Sequence, residues 1–281
     1  MYSLLKKQAI HQTQILFLLA FLILSPIFIP SNSYADSATA ETIWQPIAKG
    51  IELGRIRLYP DALFSPEVLI TKINLNFYRI TPVRSRDFGE KLNNAYNLSV
   101  KSKALAGINA NFFDERGDEL GLVMSRGIIQ HPLHKGGKTL TGIFQVSRKG
   151  PRIVSRDTFQ PDYAVEAVQA GPRLIDDFQV ISGQKDSEVS SRRAGICVHD
   201  SQHVSFYISS GFIGLTINQL QDLLTNPQIK CREALNLDGG GSAQFFLSAQ
   251  LPEAIPDLQE IVIHGRDQIP VMLGVFLKRE I

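Results

Sequence analysis

From residue 68 onward the apolar residues come in short runs, and each run stops at a glycine, proline, asparagine or aspartate. A chain punctuated in this way builds many short strands and few helices. Strands are expected over residues 68–80, 105–108, 141–146, 164–170, 196–199, 203–208, 234–237 and 271–277. The first of these is long, with Ile73, Leu75 and Phe77 on one face. One helix is clearly signalled at 216–225. The Thr216 hydroxyl is placed to cap the third helical amide while Gln219 reaches back. Ile217, Leu220, Leu223 and Leu224 form its apolar stripe, and Asn226-Pro227 ends it. A second helix is expected over 87–98. The expected fold class is α+β, a single domain with a mixed or antiparallel sheet and few helices.

The first 35 residues have another purpose. Lys6 and Lys7 precede an apolar run from Ile15 to Ile29 broken only by Ser25 and Pro26, and Ser33-Tyr34-Ala35 supplies small residues for a peptidase. This is the three-part pattern of a secretory signal peptide, too short for a membrane span. Cleavage is expected after Ala35, so the protein is read as periplasmic or secreted, touching a membrane only through an uncleaved signal anchor. Residues 36–65 are then an N-terminal extension and 66–281 the working domain. Without 1–35 the chain carries equal numbers of basic and acidic side chains. A neutral chain without basic runs gives no reason to expect a nucleic-acid partner. Cys197 and Cys231 are the two cysteines. In an oxidising compartment they form either a disulfide or two buried thiols. No CxxC or HExxH spacing points to zinc.

The stretch "LNLDGGGS" at Leu235 to Ser242 concentrates the chemistry. An apolar strand ends on Asp238 and then gives up three side chains in a row. Gly239, Gly240 and Gly241 permit positive φ and allow successive N–H groups to converge on an anion beside the carboxylate, with Ser242 adding a hydroxyl. A plain turn needs one or two glycines. A second stretch, "GINANFFD" at Gly107 to Asp114, offers the Asn109 and Asn111 amides to sugar hydroxyls and the Phe113 ring to a sugar face, next to the Asp114 carboxylate. Gln169 and Arg173 in "QAGPRL" end another strand. The Arg192-Arg193 pair suits bidentate phosphate recognition.

Together, "NANFF", "LG" at Leu120-Gly121, "QAGPRL", "RRAG" at Arg192 to Gly195 and "ALNLDGGGS" at Ala234 to Ser242 resemble the phosphodiester glycosidase family, in particular its bacterial periplasmic branch. Ala110-Asn111 departs from the glycine that many members carry there. The resemblance implies that Asn109, Asn111 and Phe113 line the pocket floor, with Asp114 at hand. It implies that Gln169 and Arg173 border the pocket, that Arg193 contacts phosphate, and that Asp238 with Gly239, Gly240, Gly241 and Ser242 forms the catalytic corner.

The chemistry that fits is hydrolysis of a sugar-1-phosphodiester in an envelope or extracellular glycan. The departing phosphomonoester has a second pKa of about 6 and leaves without a proton. The usual carboxylate pair can therefore shrink to Asp238 with an anion clamp of Arg193 and glycine amides. Asp114, Glu166 and Asp200 are candidates for a second carboxylate. No cofactor is required, although calcium or magnesium bound by dispersed oxygens remains open. Two other readings stand beside the hydrolase: a non-catalytic glycan-binding module, and a metal-assisted phosphodiesterase.

Overall fold

The computed structural model describes residues 44–184 and 187–278, so the expected signal peptide lies outside the described residues. Among the described residues the short apolar runs become three larger sheets and a two-stranded one, Phe112–Phe113 with Glu119–Leu120, in which the strand pairings are antiparallel. The largest has eight strands, in the order Gln45–Ala48, Ile51–Arg57, Glu67–Asn74, His203–Ser209, Ala194–Val198, Glu233–Asn236, Arg173–Asp176 and Gln179–Val180. A second, five-stranded sheet is built from Gly150–Ser155, Gly142–Ser147, Glu166–Ala170, Val123–Ser125 and Ile128–His131. A third is ordered Ile261–Ile263, Phe245–Leu247, Ala106–Asn109, Val271–Leu277 and Tyr78–Arg84. With two α-helices beside these sheets, the fold is α+β and mainly β.

Side-chain alternation explains the layering. One face of the large sheet gives Leu69, Ile73, Ile196 and Phe206 to a core shared with Phe144 and Val168 of the second sheet and Ile108 and Leu273 of the third. The opposite face gives Ile70, Cys197 and Tyr207 to a separate core. Strands buried on both faces read as unbroken apolar runs, as these do. Helix Ile217–Thr225 covers that second face with Ile217, Leu220 and Leu224. Its capping box forms as the sequence requires, with Thr216 accepting from the Gln219 amide and Gln219 accepting from the Thr216 amide. Helix Ala95–Ser102 packs Ala95 and Leu98 with Met272 of the third sheet.

Two expectations are corrected. The long strand at 68–80 is two strands in different sheets, Glu67–Asn74 and Tyr78–Arg84. Asn74 closes the turn between them by accepting from the Asn76 amide, and Phe77 is left exposed. Apolar alternation continues through this turn and hides it. The helix expected over 87–98 is a 3-10 turn at Ser85–Phe88 followed by a helix that starts later, where the Asn94 side chain caps the Asn97 amide. Residues 45–57, expected as part of an N-terminal extension, form the first two strands of the large sheet, with Gln45–Ala48 at its edge and Ile51 and Ile56 fully buried.

Cys197 and Cys231 form a disulfide with Cα atoms 5.7 Å apart, which fastens the loop after helix Ile217–Thr225 to a central strand. It closes a loop of sequence separation 34. Restraining a loop of this length in the unfolded chain contributes about 3–4 kcal/mol. The double variant Cys197→Ala/Cys231→Ala is expected to lose that amount in urea titration, whereas a loss near zero would mean that the bridge does not constrain the unfolded chain.

Candidate active site

Asp238 follows the end of strand Glu233–Asn236, where the large sheet meets the third sheet. Its backbone is held from both sides. The Asp238 amide donates to the Ala110 carbonyl at 3.2 Å, and Asn109 Nδ2 donates to the Asp238 carbonyl at 2.6 Å. The Asp238 carboxyl accepts from the Ser242 hydroxyl and the Gly239 amide. Burial, reinforced by the neighbouring Asp267 carboxylate, outweighs those two donors and pushes the Asp238 pKa up to about 6. Ser242 Oγ also lies 3.5 Å from Asp267 Oδ2, so its hydroxyl sits between the two carboxylates.

The glycine triplet has a different explanation from the anion nest expected of it. Most of its amides are already used: Gly239 on the Asp238 carboxylate, Gly240 on the Arg192 carbonyl at 2.9 Å, and Ser242 on the Gly239 carbonyl at 3.1 Å. What each position requires is space or a backbone angle. A Cβ on Gly239 would stand 2.7 Å from the Arg192 carbonyl oxygen, Gly240 has φ +59, and a Cβ on Gly241 would run into the Asp267 carboxylate. The glycines let the second acid approach the first.

Beside this corner lies a cleft of about 350 Å³ lined by Phe112, Gly171, Pro172, Arg193, Asn236 and Gly239, among others. Arg193 reaches it with part of its guanidinium committed elsewhere, Nε to the Leu215 carbonyl at 3.0 Å and Nη2 to the Val189 carbonyl at 2.6 Å. Burial lowers its pKa. Asn236 is 3% exposed, and its Oδ1 has no hydrogen-bond partner although its Nδ2 donates to Gly171 and Leu237. An unpartnered buried carbonyl at a cleft wall is an acceptor available to a ligand hydroxyl.

The remaining expected residues divide into supports and bystanders. Asn109 is fully buried, with Oδ1 accepting from the Gln244 amide at 3.0 Å, so it positions Asp238 and does not face a ligand. Asn111 is also buried and donates to the Leu122 and Gln169 carbonyls. Gln169, fully buried, accepts from the Leu122 and His134 amides and donates to the His134 and Leu140 carbonyls. It anchors the loop that carries Lys138 and Thr139 to the cleft. The ring that lines the cleft is Phe112, while Phe113 packs with the cluster around Met272. Asp114 closes a tight turn by accepting from the Arg116 and Asp118 amides. Arg173 pairs with Asp176 at 2.7 Å. None of the three carboxylates expected as partners stands beside Asp238: Asp200 pairs with His203 at the end of a hairpin, and Glu166 borders a separate cleft.

Sequence reasoning missed Asp267, which the chain brings in from the far end of the domain. Its signal was the polar "HGRD" at His264 to Asp267 directly before an apolar strand, the same acid-at-a-strand-end logic in reverse order. Among the described residues no three His, Cys, Asp or Glu side chains converge as metal ligands.

Known proteins share this fold. The chain resembles, at 17% identity and TM-score 0.59, the catalytic domain of zebrafish N-acetylglucosamine-1-phosphodiester alpha-N-acetylglucosaminidase auto-inhibited by its pro-peptide, with 84% of this chain and 88% of that one covered. A hypothetical protein from Synechocystis matches at 14% identity and TM-score 0.57 over 85% of this chain, which spans 64% of that protein's length. A putative exported protein from Burkholderia pseudomallei matches at 11% identity and TM-score 0.50, covering 75% of this chain and 74% of that one. At these identities the likeness shows a shared fold. No curated protein matches the chain. The model of the phosphodiester glycosidase family, however, matches residues 102–276, which contain Asn109, Asp238, the glycine triplet and Asp267. The chain belongs to the phosphodiester glycosidase family.

Proposed function

We propose that the protein is an exported hydrolase that cleaves a sugar-1-phosphodiester of an envelope or extracellular glycan at the Asp238 corner. The observation that carries this reading is a largely buried carboxyl with a pKa of about 6 held beside a second carboxylate, next in the chain to Gly239, which lines the neighbouring cleft with Arg193 and Asn236. Paired acids whose environments move one of them toward neutrality mark acid–base sites. The signal-peptide pattern supports export, as does the Cys197–Cys231 disulfide, because such bonds persist in oxidising compartments.

The chemistry follows from the leaving group. Water attacks the anomeric carbon, a new C–O bond forms, and the bond from that carbon to the phosphate oxygen breaks with its electron pair on the phosphate. Asp238, ionised, takes the proton of the attacking water. Asp267 makes Asp238 a stronger base by opposing its ionisation. The departing phosphomonoester needs no proton donor near neutral pH, since its second pKa is about 6. The scheme calls for no cofactor. Phe112 offers a face for the sugar ring, and Asn236 Oδ1 an acceptor for one of its hydroxyls.

Hydrolysis in water enriched with heavy oxygen tests the reaction class. Label on the sugar is expected, and label on the phosphate would replace the glycosidase with a phosphodiesterase. Asp238→Asn is expected to lower kcat by at least about a hundredfold, the usual weight of a positioned base. The same variant makes a stability prediction with a definite sign. The folded chain holds the Asp238 proton up to about pH 6, whereas an unperturbed aspartate loses it near 3.8. Ionisation therefore removes stability as pH rises through that window, and the cost is complete above it. Asp238→Asn should gain on the order of 1–3 kcal/mol at pH 7.5 and nothing at low pH. Loss of stability at both pH values would make Asp238 a structural turn residue. For the wild type, kcat/KM should fall as pH drops through about 6, where Asp238 takes up its proton. A profile flat across that range would remove Asp238 from the role of base.

A further inference from the structure

Arg192 and Arg193 are adjacent in the chain yet serve different clefts. Arg193 lines the cleft described above, whereas Arg192 lines another of about 540 Å³ shared with Ser210, Phe212, Val262, His264 and Arg266. Successive residues leading into a strand project to opposite sides, which separates the pair. The loop 239–242 stands between the two clefts and is stitched to both arginine backbones of the second. The Arg192 carbonyl accepts from the Gly240 amide at 2.9 Å, and the Gly241 carbonyl accepts from the Arg266 amide at 2.7 Å.

The guanidinium groups of Arg192 and Arg266 are close enough to oppose each other, and burial together with that repulsion lowers the Arg192 pKa. Among the described residues no salt bridge neutralises either of them. The nearby acids are otherwise engaged: Asp267 faces Ser242, and Glu67 pairs with Arg55 at 3.6 Å while accepting from Ser210. Arg192 is half-buried and Arg266 exposed, so solvent screens part of their repulsion, and an anion held between the two guanidiniums offsets what remains. The ligand class that matches paired guanidiniums is a phosphoryl group, bound by parallel N–H donors.

We propose that Arg192 and Arg266 form the phosphoryl subsite and that Arg193 does not. This rests on the hydrolase reading for its place in catalysis, and it moves the anion clamp to the opposite side of the glycine loop from that expected of the sequence. The substrate then straddles the loop. Its phosphoryl oxygens lie on Arg192 and Arg266, its sugar lies toward Phe112 and Asn236, and the bond to be broken passes over Asp238. The exposed Phe212 ring at the rim gives the group beyond the phosphate an apolar wall.

Calorimetric titration of the folded protein with inorganic phosphate reads this site without turnover. Saturable binding is expected in the wild type. Arg192→Gln and Arg266→Gln should each weaken it by at least about tenfold, the scale of a charge-assisted hydrogen bond. Arg193→Gln should leave it within about twofold, a change of under half a kcal/mol. The tethers that hold Arg192 and Arg266 are backbone bonds, so these variants should fold, and Arg266→Lys, which retains charge without the planar fork, should fall between wild type and Arg266→Gln. No saturable phosphate binding in the wild type, or a loss confined to Arg193→Gln, overturns the assignment. Phosphate binding lost in Arg266→Gln from a protein that hydrolyses no sugar-1-phosphodiester would keep the subsite and discard the hydrolase. Turnover with kcat/KM unchanged in Arg266→Gln would do the reverse.

Discussion

The amide of Asn109 is the joint on which the corner depends. It ends strand Ala106–Asn109 of the third sheet, fully buried, and clasps the Asp238 carbonyl with its nitrogen and the Gln244 amide with its oxygen. The adjacent Ala110 carbonyl takes the Asp238 amide. Two sheets that share a core but no strand are thereby locked at one point, and that point carries the carboxylate. An aspartate there would present two acceptors to a carbonyl that needs a donor, and an alanine would leave both backbone groups without a partner. Only a primary amide satisfies both sides.

The glycine triplet belongs to the same construction. Three residues without side chains look like a flexible turn, yet nearly every amide in the loop is bonded and each glycine answers a separate local demand. The result is a largely buried Asp238 carboxyl beside the exposed Asp267 carboxylate, with a serine hydroxyl between them. Such an arrangement opposes folding near neutral pH, and the rigid sheet ends on either side are what hold it in place. Stability is given up where Asp238 holds its proton toward neutrality.

Much of this was legible in the chain. Short runs with turn residues gave the sheets, the Thr216–Gln219 box gave the helix to within a residue, and the family resemblance located Asp238 and its glycines. What escaped was set by contacts between distant segments. The turn at Leu75 to Phe77 keeps strand-like alternation, so only the pairing of its flanks with different sheets reveals it. Asn109, Asn111 and Gln169 have side chains equally suited to a sugar or to a backbone carbonyl, and burial decided for the backbone. Phe112 and Phe113 exchange their expected places because a two-residue strand points them in opposite directions. Asp267 and Arg266 lie some 25 residues beyond the glycine loop, and nothing local says that the chain returns to it.

Gln169 sets a further condition on the molecule's history. One buried side chain grips the His134 amide and the His134 and Leu140 carbonyls, while residues 134–139 stand exposed and carry Lys138 and Thr139 to the cleft. The segment is clamped at its feet by Gln169, and Arg156 holds the Gly136 and Gly137 carbonyls at its crown, so it is the exposed side chains that are left free. Substitutions at the crown alter what meets the ligand without disturbing the clamp, so they are nearly neutral for folding while consequential for recognition. Sequence change at the exposed side chains of this loop therefore costs the fold little, whereas the buried Gln169 that holds it cannot be exchanged without orphaning several backbone groups.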